Sequence, residues 1–178
     1  MKEISIIVTF QEQRPQLEQL LSHLLSWHYD GEYEVIVIDK LHDKDTAEWL
    51  EMLEMRYPHL HHTFCPASAR GIDIHKLALT LGAKAAFYDW LVFLPVDVAL
   101  PDDDWLNKLQ TCCGDEKDIV VGITDQVRRW NWFTSFRFRR KFSLFRPTSS
   151  VILCHRNSLL QGEHIKLSEN QIVKLYNS

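Results

Sequence analysis

Two aspartates in this sequence each follow a short apolar run, and their chemistry is that of anchors for charged ligands. Asp39 comes after EVIVI, and Asp97 comes after LVFLPV. A carboxylate accepts hydrogen bonds from a ribose or a base, and it also binds Mg²⁺ or Mn²⁺, whose other positions water and phosphate oxygens fill. Asp39 keeps a second interpretation, because aspartate also commonly caps turns and helices.

The apolar runs that carry these residues alternate with amphipathic segments. Strands are predicted over residues 4–8, 33–38, 61–65, 90–94, 119–123 and 148–154. Helices are predicted over residues 17–25, 45–55, 74–87 and 168–176, with another beginning near residue 102. This alternation predicts an α/β fold with a mainly parallel central sheet flanked by helices. Ligands bind beyond the carboxyl ends of such strands, so Thr9, Asp39 and Asp97 are predicted to share one crevice.

Length and composition favour one ordinary domain. The chain has 178 residues, 46% of them hydrophobic, which suits one core better than two. No apolar run approaches the roughly 18 residues of a membrane span, and the first ten residues do not resemble a secretory signal. The four cysteines lack the spacing of a zinc site. We therefore expect a single domain over residues 1–178, reduced thiols and a cytoplasmic location.

Charge is unevenly distributed along the chain. The formal net charge is −4, yet residues 126–162 hold eight basic side chains and no acidic one, which leaves −12 for the remainder. Residues 128–146 mix most of these basic side chains with aromatic ones, and we expect a partly helical surface segment. Its aromatics either pack in the core under snorkelling arginines or contact anionic lipid at the inner face of the cell membrane. Similar residues bind single-stranded nucleic acid, but no nucleic-acid module matches, so we predict no such partner.

Histidines and isolated basic residues give weaker signals. His59, His61 and His62 lie near a predicted strand edge without a matching carboxylate, which favours solvated histidines over a metal site. Arg70 and Lys76 flank the start of a predicted helix. Each of these two basic residues either contacts a diphosphate or is an ordinary surface charge.

Several segments resemble the family 2 glycosyltransferases, which have the GT-A (Rossmann-like) fold of nucleotide-diphospho-sugar transferases. ISIIVTF at 4–10 resembles that family's opening strand, and EVIVID at 34–39 resembles its second strand with the nucleotide-binding aspartate. DTAE at 45–48 is similar to the helix start that follows, and KLALTLGAKAA at 76–86 to the helix before the metal-binding turn, in a form typical of Bacteroidetes members. DWLVFLPVD at 89–97 resembles the next strand and its DxD turn.

The resemblance implies a donor site at the strand ends. Thr9, Asp39 and Lys76 would bind a UDP- or GDP-linked sugar, and Asp97 would bind Mg²⁺ or Mn²⁺. Residues 1–110 would then form a nucleotide-sugar-binding half, and residues 111–178 a shortened acceptor-side half.

Two departures from the family pattern affect the charge of this site. Pro95 stands where the family has the first acidic residue of DxD, so the motif is degenerate and Asp97 alone is carried over as a metal ligand. Lys40 stands where many members have a second aspartate after the second strand. This lysine either compensates a phosphate charge or faces solvent.

The family's catalytic base is an acidic residue near the start of a late helix, and Glu169 is the counterpart in this chain. The implied reaction is an inverting hexosyl transfer to a glycan or lipid-linked acceptor, of the kind used in polysaccharide biosynthesis. The alternative is a catalytically degenerate relative that serves as a binding or scaffolding protein. A sugar nucleotidyltransferase is disfavoured, because residues 9–15 lack its glycine-rich loop.

Overall fold

The computed structural model describes residues 2–66, 73–98, 104–111, 119–123, 150–157 and 172–174. Within these ranges the chain forms seven strands and four helices. In chain order they are β1 (Ile4–Phe10), α1 (Arg14–Ser26), β2 (Tyr33–Asp39), α2 (Lys44–Arg56), β3 (Leu60–Phe64), α3 (Ile74–Ala85), β4 (Trp90–Pro95), α4 (Trp105–Gln110), β5 (Ile119–Ile123), β6 (Ser150–His155) and β7 (Ile172–Lys174). None of the described helices has the length and apolar character that a membrane crossing requires.

The strands form one sheet in the order β3-β2-β1-β4-β6-β5-β7. β1 pairs in parallel with β2 and β4, β2 with β3, and β5 with β7, whereas β6 is antiparallel to β4 and β5. These pairings confirm the predicted α/β fold with a mainly parallel sheet. The strand order reverses at β1, since β2 and β3 lie on one side of it and β4 on the other. Such a switch point leaves a crevice at the carboxyl ends of the strands.

Burial on both faces of the sheet explains why the sequence of β1 is mostly apolar. Ile4, Ile6 and Val8 join a hydrophobic cluster that includes residues of α1, α2 and α4. Ile7 points to the opposite face and joins a second cluster with α3. Because side chains alternate along a strand, a central strand covered on both sides needs apolar residues at consecutive positions.

Helix α3 packs closely against β1 through small residues. In the predicted helix over residues 74–87, Leu77, Leu81 and Ala85 share one side. In the structure Ala78, Gly82 and Ala83 are buried, the two leucines are partly buried beside them, and Ala85 is exposed. A Cβ atom at position 82 would overlap Cγ2 of Ile7. Small side chains here therefore set the distance between helix and sheet.

The predicted helix over residues 168–176 is wrong at residues 172–174, which form β7. Val121 and Ile123 of β5 lie opposite Ile172 and Lys174 in a parallel register. Ile172 and Val173 are β-branched and suit a strand, and the open edge of β5 offers backbone partners that a short isolated helix lacks. The predicted surface segment 128–146 lies outside the described residues.

Candidate functional site

The carboxyl ends of β1, β2 and β4 bring most of the predicted site residues to one edge of the sheet. Thr9 lies between Ile38 of β2 and Pro95 of β4, and Phe10 lies opposite Asp39. This edge is the switch point of the sheet, where a crevice is expected.

A tight turn after β4 presents Asp97. The amide of Val98 donates a hydrogen bond to the carbonyl oxygen of Pro95 at 3.1 Å. The side chains of Val96 and Val98 are buried in the core, whereas Asp97 is exposed. The two valines therefore anchor the turn, and the carboxylate between them remains available to a ligand.

Asp39 is buried, and its carboxylate holds the loop between β2 and α2. Its Oδ1 accepts the amide of Leu41 and its Oδ2 accepts the amide of Asp43, each at 2.8 Å. Asp43 in turn caps α2 by accepting the amide of Thr46 at 2.9 Å. The loop-capping interpretation of Asp39 is thus realised in the structure. Each carboxylate oxygen can still accept a further hydrogen bond, so nucleotide binding by Asp39 stays a prediction.

The same loop carries an aromatic pair that the sequence did not predict. His42 has a φ of 58°, a left-handed conformation that is uncommon for residues other than glycine. Its ring stacks on Phe64 at the end of β3, with centroids 3.6 Å apart and planes 6° apart. Both side chains are exposed. The strained loop therefore presents a flat aromatic surface next to Asp39.

Lys40 lies on the other side of Asp39 and contacts α3. Its Nζ is 3.3 Å from Nδ1 of His75, in the first turn of α3. Burial lowers the pKa of the Lys40 ammonium below its ordinary value, and the charges of Cys65 and Asp97 oppose that change. Lys40 and Asp97, which are 57 positions apart, are thus electrostatic neighbours at the crevice.

Of the remaining predicted site residues, only Lys76 lies within the described part of the chain. Lys76 is exposed in the first turn of α3, where Asp73 caps the helix by accepting the amides of His75 and Lys76 at 3.0 and 3.3 Å. Arg70 and Glu169 lie outside the described residues. Their roles therefore remain predictions from the sequence.

The described side chains at this edge do not by themselves form a complete set of metal ligands. Among the described residues, no three His, Cys, Asp or Glu side chains converge as metal ligands would. Asp97 has Pro95 in place of the second carboxylate of the turn, and Asp39 already accepts two amides. A metal ion on Asp97 would take nearly all its other ligands from water and from oxygens of the nucleotide sugar. Metal binding by Asp97 therefore stays a prediction.

The histidines of β3 have carboxylate partners, contrary to the expectation from sequence. Nδ1 of His62 is 2.9 Å from Oε1 of Glu54, which also accepts the His62 amide. Nε2 of His61 is 3.9 Å from the buried Glu34. Sequence inspection missed these pairs because Glu54 belongs to α2 and Glu34 to β2, so each contact depends on how that element packs beside β3.

Three solved structures show what the fold is similar to. A mannosyltransferase from Pyrobaculum calidifontis, solved with GDP-Man and Mn²⁺, is 20% identical over 68% of this chain and 34% of its own, with a TM-score of 0.54. S. aureus TarS, residues 1–349, is 21% identical over 70% of this chain and 35% of its own, with a TM-score of 0.52. Glucosyl-3-phosphoglycerate synthase from Mycobacterium tuberculosis, solved with Mn²⁺, UDP and glucosyl-3-phosphoglycerate, is 18% identical over 88% of this chain and 57% of its own, with a TM-score of 0.60.

These likenesses show the fold of the chain, which is the GT-A fold. It spans only 34%, 35% and 57% of the three solved chains. The family model described as "Glycosyl transferase family 2" matches residues 5–165, and the chain belongs to that family. A comparison with curated protein sequences finds no match.

Proposed function

We propose that this protein is a glycosyltransferase that takes its sugar from a UDP- or GDP-linked donor. The observation that carries the proposal is the meeting of Thr9, Asp39, Lys40 and Asp97 at the switch point of a family 2 fold. Hydrogen-bond acceptors and a cation at this edge suit a ribose and a diphosphate. The aromatic pair of His42 and Phe64 supplies a surface on which a base can stack.

The donor occupies residues 1–110 in this proposal, and the acceptor binds to residues 111–178. Glu169 removes a proton from an acceptor hydroxyl, whose oxygen attacks the anomeric carbon as the bond to the diphosphate breaks. The nucleoside diphosphate leaves, and the configuration at the anomeric carbon inverts. The acceptor is a glycan or a lipid-linked sugar, and the basic and aromatic segment 128–146 would bring the enzyme to the inner face of the membrane.

The counter-charge of the leaving diphosphate is a separate part of the proposal. The sequence predicts Mg²⁺ or Mn²⁺ on Asp97, and two of the solved structures with this fold contain Mn²⁺. A bound divalent cation would stabilise the charge that develops on the leaving group. Because Asp97 is the one carboxylate of the turn after β4, the binding of this cation needs a direct test.

Calorimetric titration of UDP and of GDP into the whole protein tests the function. We expect one of the two nucleotides to bind, and the corresponding nucleotide sugars to be hydrolysed slowly by water when no acceptor is added. The titration is repeated with Mn²⁺, with Mg²⁺ and with a chelator. If neither nucleotide binds under any of these conditions, the donor site does not exist and the proposal is wrong.

Two observations favour a second function, that of a non-catalytic relative which uses the fold for binding or scaffolding. Pro95 removes one carboxylate from the turn, and the Asp39 carboxylate accepts two loop amides. Such a relative would bind no nucleotide, or it would bind nucleotide without releasing sugar. Measurement of sugar release beside nucleotide affinity distinguishes the two functions.

A further inference from the structure

We propose that the ammonium group of Lys40, rather than a divalent cation, meets the negative charge of the donor diphosphate in this site. The inference rests on the proposed function, because it names the group that recognises the phosphates of the nucleotide donor. It differs from the cofactor expected from the family resemblance, and the two make opposite predictions about the effect of a chelator.

The backbone of Lys40 is fixed at the crevice by hydrogen bonds to two other strands. The Lys40 amide donates to the carbonyl oxygen of Phe10, at the end of β1, at 3.1 Å. The carbonyl oxygen of the preceding residue, Asp39, accepts the amide of Cys65 just after β3 at 2.8 Å. The lysine side chain therefore starts from a rigid point at the carboxyl ends of three parallel strands.

The far end of the lysine side chain is also held in place. Its Nζ lies 3.3 Å from Nδ1 of His75, and since an ammonium group has only donors, Nδ1 is the acceptor. His75 belongs to the first turn of α3, which Asp73 caps. One of the three ammonium N–H bonds is directed at His75, and the other two remain for acceptors such as phosphate oxygens.

The local charges favour this arrangement over a metal ion. Lys40 follows β2 and Asp97 follows β4, and these two strands flank β1 at the same edge of the sheet. A lysine at this edge repels a divalent cation, and Pro95 contributes no second carboxylate to offset that repulsion. A lysine is itself an effective phosphate ligand. A lysine that takes the place of the metal ion thus explains both departures of the sequence from its family, Lys40 and Pro95.

Nucleotide titration with and without metal tests the inference on four forms of the protein. These are the wild type, Lys40→Met, Lys40→Arg and Lys44→Met. Lys44 is a matched control, because its side chain is 87% exposed and its partner is Glu48 at 3.8 Å on α2. Circular dichroism and urea denaturation check that every variant folds, and Lys40→Gln replaces Lys40→Met if the latter does not.

The expected result is an affinity that depends on the lysine and not on the metal. Wild type and Lys44→Met should bind UDP or GDP with dissociation constants that agree within about threefold in Mn²⁺ and in chelator. Lys40→Met should weaken binding roughly tenfold or more in both conditions, as expected for loss of a charged hydrogen bond. Lys40→Arg should recover part of the affinity, because it keeps the charge.

Two outcomes would overturn the inference, and they are distinguishable. Binding that requires Mn²⁺, disappears in Asp97→Asn and is unchanged in Lys40→Met would make the metal the counter-ion and leave the proposed function intact. Failure of the wild type to bind either nucleotide in any condition would overturn the inference and the proposed function together.

Discussion

Asp39 and Lys40 are adjacent in sequence, yet their side chains have partners on different elements. The carboxylate of Asp39 bonds to amides of the loop that leads to α2, whereas the amine of Lys40 contacts His75 of α3. Asp39 holds the loop at this edge of the sheet, and Lys40 places a charge at the same edge. At the scale of single residues, the backbone that Asp39 fixes therefore also positions the Lys40 side chain.

Replacement of Asp39 by asparagine tests its role in the loop. The amide side chain keeps one acceptor oxygen but turns an NH₂ group towards a backbone N–H, so one buried donor loses its partner. We expect the free energy of unfolding to fall by about 1–3 kcal/mol, measured by urea denaturation without ligand. Asp45→Asn, an exposed change in the first turn of α2, serves as the control. Equal stability of the two variants would contradict the capping role.

The sequence located the strand-end aspartates but not their surroundings. Asp39 and Asp97 follow apolar runs, and a strand followed by a polar residue is a local pattern. The stacking of His42 on Phe64 and the contact of Lys40 with His75 join residues 22 and 35 positions apart. Such contacts depend on how β3 and α3 pack against β2, which no local pattern encodes.

Among the elements, α3 shows most clearly how packing overrides a hydrophobicity pattern. Leu77 and Leu81 share one side of the predicted helix, but the residues buried against the sheet are the small ones, and the leucines pack partly buried beside them. The predicted terminal helix failed for a similar reason, because β7 gains backbone partners from β5. By contrast, the strands β1, β2 and β4 were predicted well, since burial on both faces requires continuous apolar runs.

Substitution of Gly82 by alanine tests the close contact of α3 with β1. Alanine favours a helix over glycine by about 1 kcal/mol, but its Cβ would overlap Cγ2 of Ile7, in the middle of the sheet. Overpacking of this kind costs about 1–3 kcal/mol, so we expect net destabilisation in a urea denaturation. Lys84→Ala, at an exposed position of the same helix, is the control. A more stable Gly82→Ala variant would show that helix and sheet separate easily.

At the scale of the whole molecule, the two ends of the sheet have different tasks. The carboxyl end carries Asp39, Lys40 and Asp97, whereas polar contacts join the elements at the amino end. Glu34 is buried there and accepts the hydroxyl of Ser5 at 2.5 Å and the amide of Phe87 at 2.6 Å. Arg156, after β6, donates to the carbonyl oxygens of Ala86 and Tyr88 at 2.7 and 2.8 Å. These buried polar contacts stabilise the end of the sheet opposite the proposed donor site.

His59 at the amino end makes the stability of the protein sensitive to acid. Its ring packs edge-on against Tyr33, with centroids 4.9 Å apart, and Nε2 is buried without a hydrogen-bond partner in the described part of the chain. Burial, together with the charge of His61, lowers the pKa of His59 below its ordinary value of 6.5. Below that pH the unfolded chain takes up a proton more readily than the folded one, so the free energy of unfolding decreases.

The variant His59→Phe should lose less stability on acidification than the wild type. Phenylalanine keeps a ring against Tyr33 and does not titrate. Urea denaturation at about pH 7 and about pH 5, on either side of the ordinary histidine pKa, measures the difference, and His28→Gln at an exposed position is the control. An unchanged loss of stability in His59→Phe would assign the acid sensitivity to other groups.

The order of strands in the sheet also has a consequence for synthesis on the ribosome. The outer edge of β4, which ends at Pro95, pairs with β6, which begins only at Ser150. At a translation rate of about 5–20 residues per second, the ribosome needs roughly three to ten seconds to proceed from Pro95 to Ser150. During that time the nascent chain carries β1 to β4 with one unpaired edge of buried-type residues. The growing polypeptide is then most exposed to wrong pairing with its neighbours and most in need of a chaperone.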